Sequence, residues 1–152
     1  MENLPKKRNS LRYSAGNYSY PSGNYFVTIC VKTGVNLASR KFANAIIETL
    51  KYIEKLGNAR FPCYCIMPDH IHIIIQLTTG EKSVSAIVWS LKRSITRKTG
   101  YNGGTLWQRS FYDRIIRDYD EYVEIANYIA GNPVKRGYIK DREDYRLMKI
   151  EY

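Results

Sequence analysis

The chain has 152 residues, 44% of them hydrophobic and 25% charged, which suits one soluble globular domain with a substantial core. No apolar run reaches the roughly 20 residues of a membrane span, and the polar, basic first 12 residues do not read as a signal peptide. Twenty-four Lys and Arg against 14 Asp and Glu give +10, which favours a polyanionic partner, usually nucleic acid, although a basic surface without a partner would carry the same charge.

Residues 1–24 read as an extended arm. Lys6, Lys7, Arg8 and Arg12 are followed by Tyr13, Tyr18 and Tyr20, a mixture suited to phosphate pairing and base stacking. Residues 25–31 (YFVTICV) are rich in β-formers and predict strand one. Residues 39–56 predict a helix with Phe42, Ile46, Leu50 and Ile53 as its apolar stripe and Gly57-Asn58 as its stop. A second strand is expected over 60–66. Pro68-Asp69 then turns the chain into a third strand ending at Leu77.

Residues 83–99 predict a second helix, with Val84, Val88, Leu91 and Ile95 buried. Its other side carries Trp89, Lys92, Arg93, Thr96 and Arg97, and no acid occurs between positions 82 and 98. This is a candidate nucleic-acid surface or a plain solvated face. Gly103-Gly104 marks a turn, and a fourth strand is expected over 107–117. Trp107 and Gln108, at its start, are further candidates for DNA contact, the tryptophan by stacking on an unpaired base.

Asp118-x-x-Glu121 has the form of a capping box opening a third helix. Tyr122, Ile125, Ala126 and Ile129 form its core stripe. Tyr128 and Asn132 lie one turn apart beside that stripe. Pro133 disfavours helical geometry at Asn132, so the helix is expected to end there. The organisation expected is an arm over 1–24, a catalytic domain over 25–133 and a basic tail over 134–152. Cys30, Cys63 and Cys65 sit in strand-like segments and read as reduced core thiols of a cytoplasmic protein.

The most informative stretch is residues 67–77 (MPDHIHIIIQL). His70 and His72, the only histidines, are two apart in a β-branched run, so a strand projects both to one face and Ile71, Ile73 and Ile75 to the other. Such a pair can hold a divalent metal, because imidazole nitrogen suits Mn, Zn and Fe. A polar pair filling a half-buried sheet face is the plainer alternative. The element order β-α-β-β-α-β plus a helix predicts an α+β, ferredoxin-like antiparallel sheet with helices on one face and a central His strand. RNA-recognition domains share that arrangement, so the order alone does not settle function.

Four segments, 17–31 (NYSYPSGNYFVTICV), 67–75 (MPDHIHIII), 107–117 (WQRSFYDRIIR) and 128–138 (YIAGNPVKRGY), together resemble the HUH-type single-tyrosine transposases, in particular the REP-associated tyrosine transposases. The resemblance implies an HUH endonuclease fold. It implies Mg²⁺ or Mn²⁺ on His70, His72 and Asn132, and Tyr128 as the nucleophile. It implies cleavage and rejoining of single-stranded, hairpin-associated DNA through a 5′-phosphotyrosine. No organic cofactor and no membrane are expected, the setting is the cytoplasm with the nucleoid, and monomer and homodimer both remain open. Asp69 stands where many relatives carry Asn. Composition does not select Tyr128 among 14 tyrosines; the resemblance does. A histidine-triad hydrolase would need histidine at position 74, where Ile74 stands, and two-histidine phosphoesterases need two separated motifs. The serious alternative is a non-catalytic single-stranded DNA- or RNA-binding module of the same fold.

Overall fold

The computed structural model describes residues 23–32, 34–140 and 145–152. Lys6, Lys7, Arg8 and Arg12 lie outside the described residues. The elements are β1 (Asn24–Cys30), α1 (Arg40–Leu56), β2 (Ala59–Ile66), β3 (His70–Leu77), α2 (Val84–Thr99), β4 (Tyr112–Ile116), α3 (Tyr119–Lys135) and β5 (Met148–Ile150). They build one antiparallel sheet in the order β4-β1-β3-β2-β5. The expected α+β antiparallel architecture is therefore found, with the His strand at its centre.

The pairing register sorts the side chains. Phe26 faces Ile74, Thr28 faces His72 and Cys30 faces His70 across β1 and β3, so these residues share one face. Val27 and Ile29 share the other face with Ile71, Ile73 and Ile75. Ile46, Leu50 and Ile53 of α1 and Val88, Leu91 and Ile95 of α2 close over that second face in one core. The one-sided helix layer expected from the sequence thus holds for α1 and α2.

The third helix, α3, covers the opposite face. Its Ile125, Ala126 and Ile129 pack on Phe26, Cys63, Cys65 and Ile74. The reason lies in the sheet itself. The middle of the His face is apolar, with Phe26, Cys63, Cys65 and Ile74 side by side, and apolar surface on both sides of a sheet demands cover on both. The start of α3 is fixed as its sequence predicts. Asp118 accepts from the Glu121 N–H at 2.8 Å, and the Glu121 carboxylate accepts from the Arg117 N–H at 2.7 Å.

Three expectations need correction. The fourth strand is confined to Tyr112–Ile116 rather than 107–117. Trp107 keeps only an isolated bridge to Val31, because its indole N–H donates to the Lys92 carbonyl and Thr96 Oγ1, each at 3.1 Å, and so ties that segment to α2. The third helix does not stop at Asn132. It runs through Pro133 to Lys135, since a proline in the last turn removes a single backbone donor and Arg136 N–H still reaches the Asn132 carbonyl at 3.0 Å. The basic tail returns to the sheet as β5, pairing with β2 at Cys63–Cys65. Three residues are too short for an alternation pattern to be read.

Candidate metal and tyrosine site

β3 places His70 and His72 under the C-terminal half of α3. Both rings are buried, His72 completely. Their Nε2 atoms lie 3.1 Å apart. The outer nitrogens are held from either side: His70 Nδ1 lies 2.6 Å from Asp69 Oδ1, and His72 Nδ1 lies 2.9 Å from Thr28 Oγ1. Burial pushes the pKa of His70 down although the Asp69 carboxylate opposes it. Burial pushes His72 well below the ordinary value, with His70 and Arg136 adding to the effect. Both rings are therefore neutral near pH 7, the form in which imidazole ligates metals.

Tyr128 descends from α3 onto the pair. Its ring meets His72 at a centroid distance of 5.5 Å and an interplanar angle of 64°, and Phe26 at 6.1 Å and 79°. Its hydroxyl is buried and has no hydrogen-bond partner among the described residues. Burial raises the phenol pKa, while the Arg136 guanidinium opposes that rise. One turn on, Asn132 is buried beside His70, whose basicity it supports. Its Oδ1 makes no well-aligned hydrogen bond among the described residues, and its interaction is with the His70 ring alone. Buried polar atoms of this kind are rare and call for an explanation.

The donor set fits a divalent ion. Two neutral imidazole nitrogens and a buried amide oxygen are available side by side on β3 and α3, and N/O donors of this kind accept divalent transition-metal ions. Among the described residues, no group of three or more His, Cys, Asp and Glu could hold a metal, so a third protein ligand here would have to be of another type, and the Asn132 amide is one such group.

One participant escaped the sequence reading. Arg136 approaches Asp69 Oδ2 at 3.9 Å, and its charge acts on Tyr128, His70 and His72 alike. A signal was present: Tyr128, Asn132 and Arg136 are spaced at four and four, which stacks them along one helix face.

The candidate DNA-binding residues fall elsewhere. α2 packs on the sheet face opposite the histidines, and its Trp89 is 59% exposed with the Arg93 guanidinium 5.0 Å from the ring centre. Arg93, Arg97, Trp89 and Tyr52 of α1 line a cleft of about 310 Å³ between the two helices. Lys92 donates to the Gln108 carbonyl at 2.9 Å, and Gln108 is exposed, so these two mark the edge of the same basic surface. Trp107 is brought into the core instead, with its ring packed and its N–H already used. It does not offer a stacking surface. Among the described residues, no helix is long and apolar enough to cross a membrane.

Two histidines thus lie on the central strand of a ferredoxin-like antiparallel sheet, with a tyrosine of α3 packed against one of them. The family model for "Transposase IS200 like" matches residues 19–132, and the chain belongs to that family. The match spans His70, His72, Tyr128 and Asn132. A candidate REP-associated tyrosine transposase of Haemophilus influenzae is 27% identical over 135 residues, covering 81% of this chain and 77% of the relative. The REP-associated tyrosine transposase of Escherichia coli is 30% identical over 82 residues, covering 54% of this chain and 48% of the relative. A solved REP-associated tyrosine transposase bound to a REP hairpin shares the fold with a TM-score of 0.75 at 20% identity, over 97% of this chain and 82% of the other. The resemblance seen in the sequence is thereby borne out.

Proposed function

We propose that the protein cleaves and rejoins single-stranded DNA beside REP-like hairpins, using Tyr128 as nucleophile and Mg²⁺ or Mn²⁺ on His70, His72 and Asn132. The observation that carries this reading is the presence of two buried oxygens without a well-aligned hydrogen bond among the described residues, Tyr128 Oη and Asn132 Oδ1, on side chains packed beside two imidazoles whose Nε2 atoms lie 3.1 Å apart. A plain binding module has no use for that arrangement. A bound divalent ion would polarise the scissile phosphate and neutralise charge as phosphorus becomes pentavalent.

The chain supplies the rest. β3 and α3 hold ligands and nucleophile on two rigid elements, so the attacking oxygen and the phosphate are positioned before reaction. Burial raises the phenol pKa, so Tyr128 gives up its proton only as it attacks, and the Arg136 guanidinium favours that loss. On attack, the Tyr128 oxygen–phosphorus bond forms and the phosphorus–O3′ bond breaks. The phenol proton leaves to solvent, and the departing 3′ oxygen takes one up. The products are a 5′-phosphotyrosine and a 3′-hydroxyl. Attack by a 3′-hydroxyl on the phosphotyrosine reverses the step, so rejoining needs no ATP.

A hairpin partner is supported by the solved relative, which is bound to a REP hairpin. The surface of Trp89, Lys92, Arg93, Arg97 and Gln108 would engage the phosphates and an unpaired base, with the arm at Lys6, Lys7, Arg8 and Arg12 adding further phosphate contacts. Such a reaction takes place on chromosomal DNA in the cytoplasm. The test is a denaturing gel with a labelled single strand carrying a hairpin. Wild type with Mg²⁺ or Mn²⁺ should give a covalent protein–DNA band, and its absence on every such strand would favour the binding module.

A further inference from the structure

We infer that Asp69 is a positioning residue that fixes His70 in the one tautomer able to present Nε2 to a metal, and that it ties this histidine to the end of α3. The metal half of this inference rests on the function proposed above; the tautomer half does not.

The argument starts from donors and acceptors. An ionised carboxylate only accepts hydrogen bonds. The Asp69 side chain is 62% exposed, and a carboxyl in contact with water is ionised near pH 7. The 2.6 Å contact to His70 therefore requires the ring proton on Nδ1 and leaves a lone pair on Nε2. His72 has no such fixed partner. Its Nδ1 faces the Thr28 hydroxyl, which can donate or accept. In the metal-free protein the two Nε2 atoms, 3.1 Å apart, are satisfied if His72 carries its proton on Nε2 and Thr28 donates to Nδ1. Ligation by both rings needs the other His72 tautomer, and the Thr28 hydroxyl can turn to accept it. One histidine is thus locked and the other is adjustable, and the difference lies in their outer partners. Outer partners of this kind orient metal-ligating histidines and raise their basicity.

Asp69 has a second contact. Its Oδ2 lies 3.9 Å from Arg136 Nη1, four residues beyond Asn132. One side chain therefore joins the turn before β3 to the end of the helix that carries Tyr128 and Asn132. Asparagine is the near-isosteric replacement for this carboxylate. An amide oxygen keeps the hydrogen bond to Nδ1–H but loses the charge, so the two contacts can be separated by substitution.

The experiment uses the full chain labelled with ¹⁵N-histidine. Long-range ¹H–¹⁵N spectra of the metal-free protein read each ring's tautomer, and Mn²⁺ titration followed by electron paramagnetic resonance reads affinity. Wild-type His70 should be the pure Nδ1–H form. Asp69→Ala should mix the two His70 forms and weaken Mn²⁺ binding roughly 10- to 100-fold, the range for removal of such outer partners. Asp69→Asn should restore the single tautomer and recover at least part of the affinity. Because Asp69 is largely exposed, neither change should unfold the protein. An unchanged His70 tautomer in Asp69→Ala overturns the inference. If wild type binds no Mn²⁺ while the tautomer responds as described, the positioning role stands and the metal reading falls.

Discussion

Tyr128 and His72 meet edge to face across the gap between α3 and the sheet, 5.5 Å between ring centres, and the tyrosine hydroxyl beyond that contact bonds to nothing among the described residues. The ring is held by packing and the oxygen is left free. That division separates what Tyr128 does for folding from what it would do in a reaction.

Tyr128→Phe should therefore leave stability nearly untouched, within about 0.5 kcal/mol, because no hydrogen bond is broken and a buried orphan oxygen is removed. Covalent adduct formation should disappear while hairpin affinity persists. Urea denaturation and the denaturing gel read the two halves separately. An adduct in this variant would make another tyrosine the nucleophile.

His70→Ala and His72→Ala should each abolish metal-dependent cleavage, and Asn132→Ala should weaken it. All three should lower Mn²⁺ affinity in a calorimetric titration. If Asn132→Ala bound Mn²⁺ as tightly as wild type, the amide oxygen would not be a ligand and its burial would need another explanation.

The α2 surface predicts a salt effect. Removing one protein–phosphate ion pair should flatten the dependence of log affinity on log salt by roughly one unit. Arg93→Glu with Arg97→Glu should weaken hairpin binding and reduce the slope. Identical slopes would mean that this face is merely solvated. Trp107→Phe should lower stability by removing the hydrogen bonds to α2 and leave affinity for unpaired bases unchanged.

The centre of the sheet predicts a stability effect. Ile73 is fully buried in the core beneath α1 and α2. Ile73→Ala should cost about 2–5 kcal/mol in urea denaturation, from reduced burial and the cavity left behind.

The thiols give a pH test. Burial pushes the Cys65 pKa up to about 12 and raises that of Cys63. The native protein at pH 8 should hold almost no thiolate at either position, since the thiolate form exists only well above neutral. Iodoacetamide should label both rapidly in 8 M urea and slowly without it, read by mass spectrometry. Rapid native labelling would mean that the β2 face opens under α3.

The local patterns of the sequence determined most of the elements. Alternation in 70–77 placed both histidines on one face, the apolar stripes of 39–56 and 83–99 defined two helices, and Asp118 with Glu121 marked the start of the third. These are short-range effects, decided by steric period and capping within a few residues. The pairing of Tyr128 with Asn132 was legible as spacing, but its direction toward the histidines was not, and the choice of that tyrosine rested on resemblance. Only the tertiary structure decided that α3 lies across the sheet from α1 and α2. It also drew Trp107 into the core, carried α3 past Pro133, returned the tail as β5, and brought Asp69 and Arg136 together. Each of these depends on interactions between residues distant in the chain, where packing of apolar faces outweighs the weak local preferences that a sequence pattern can report.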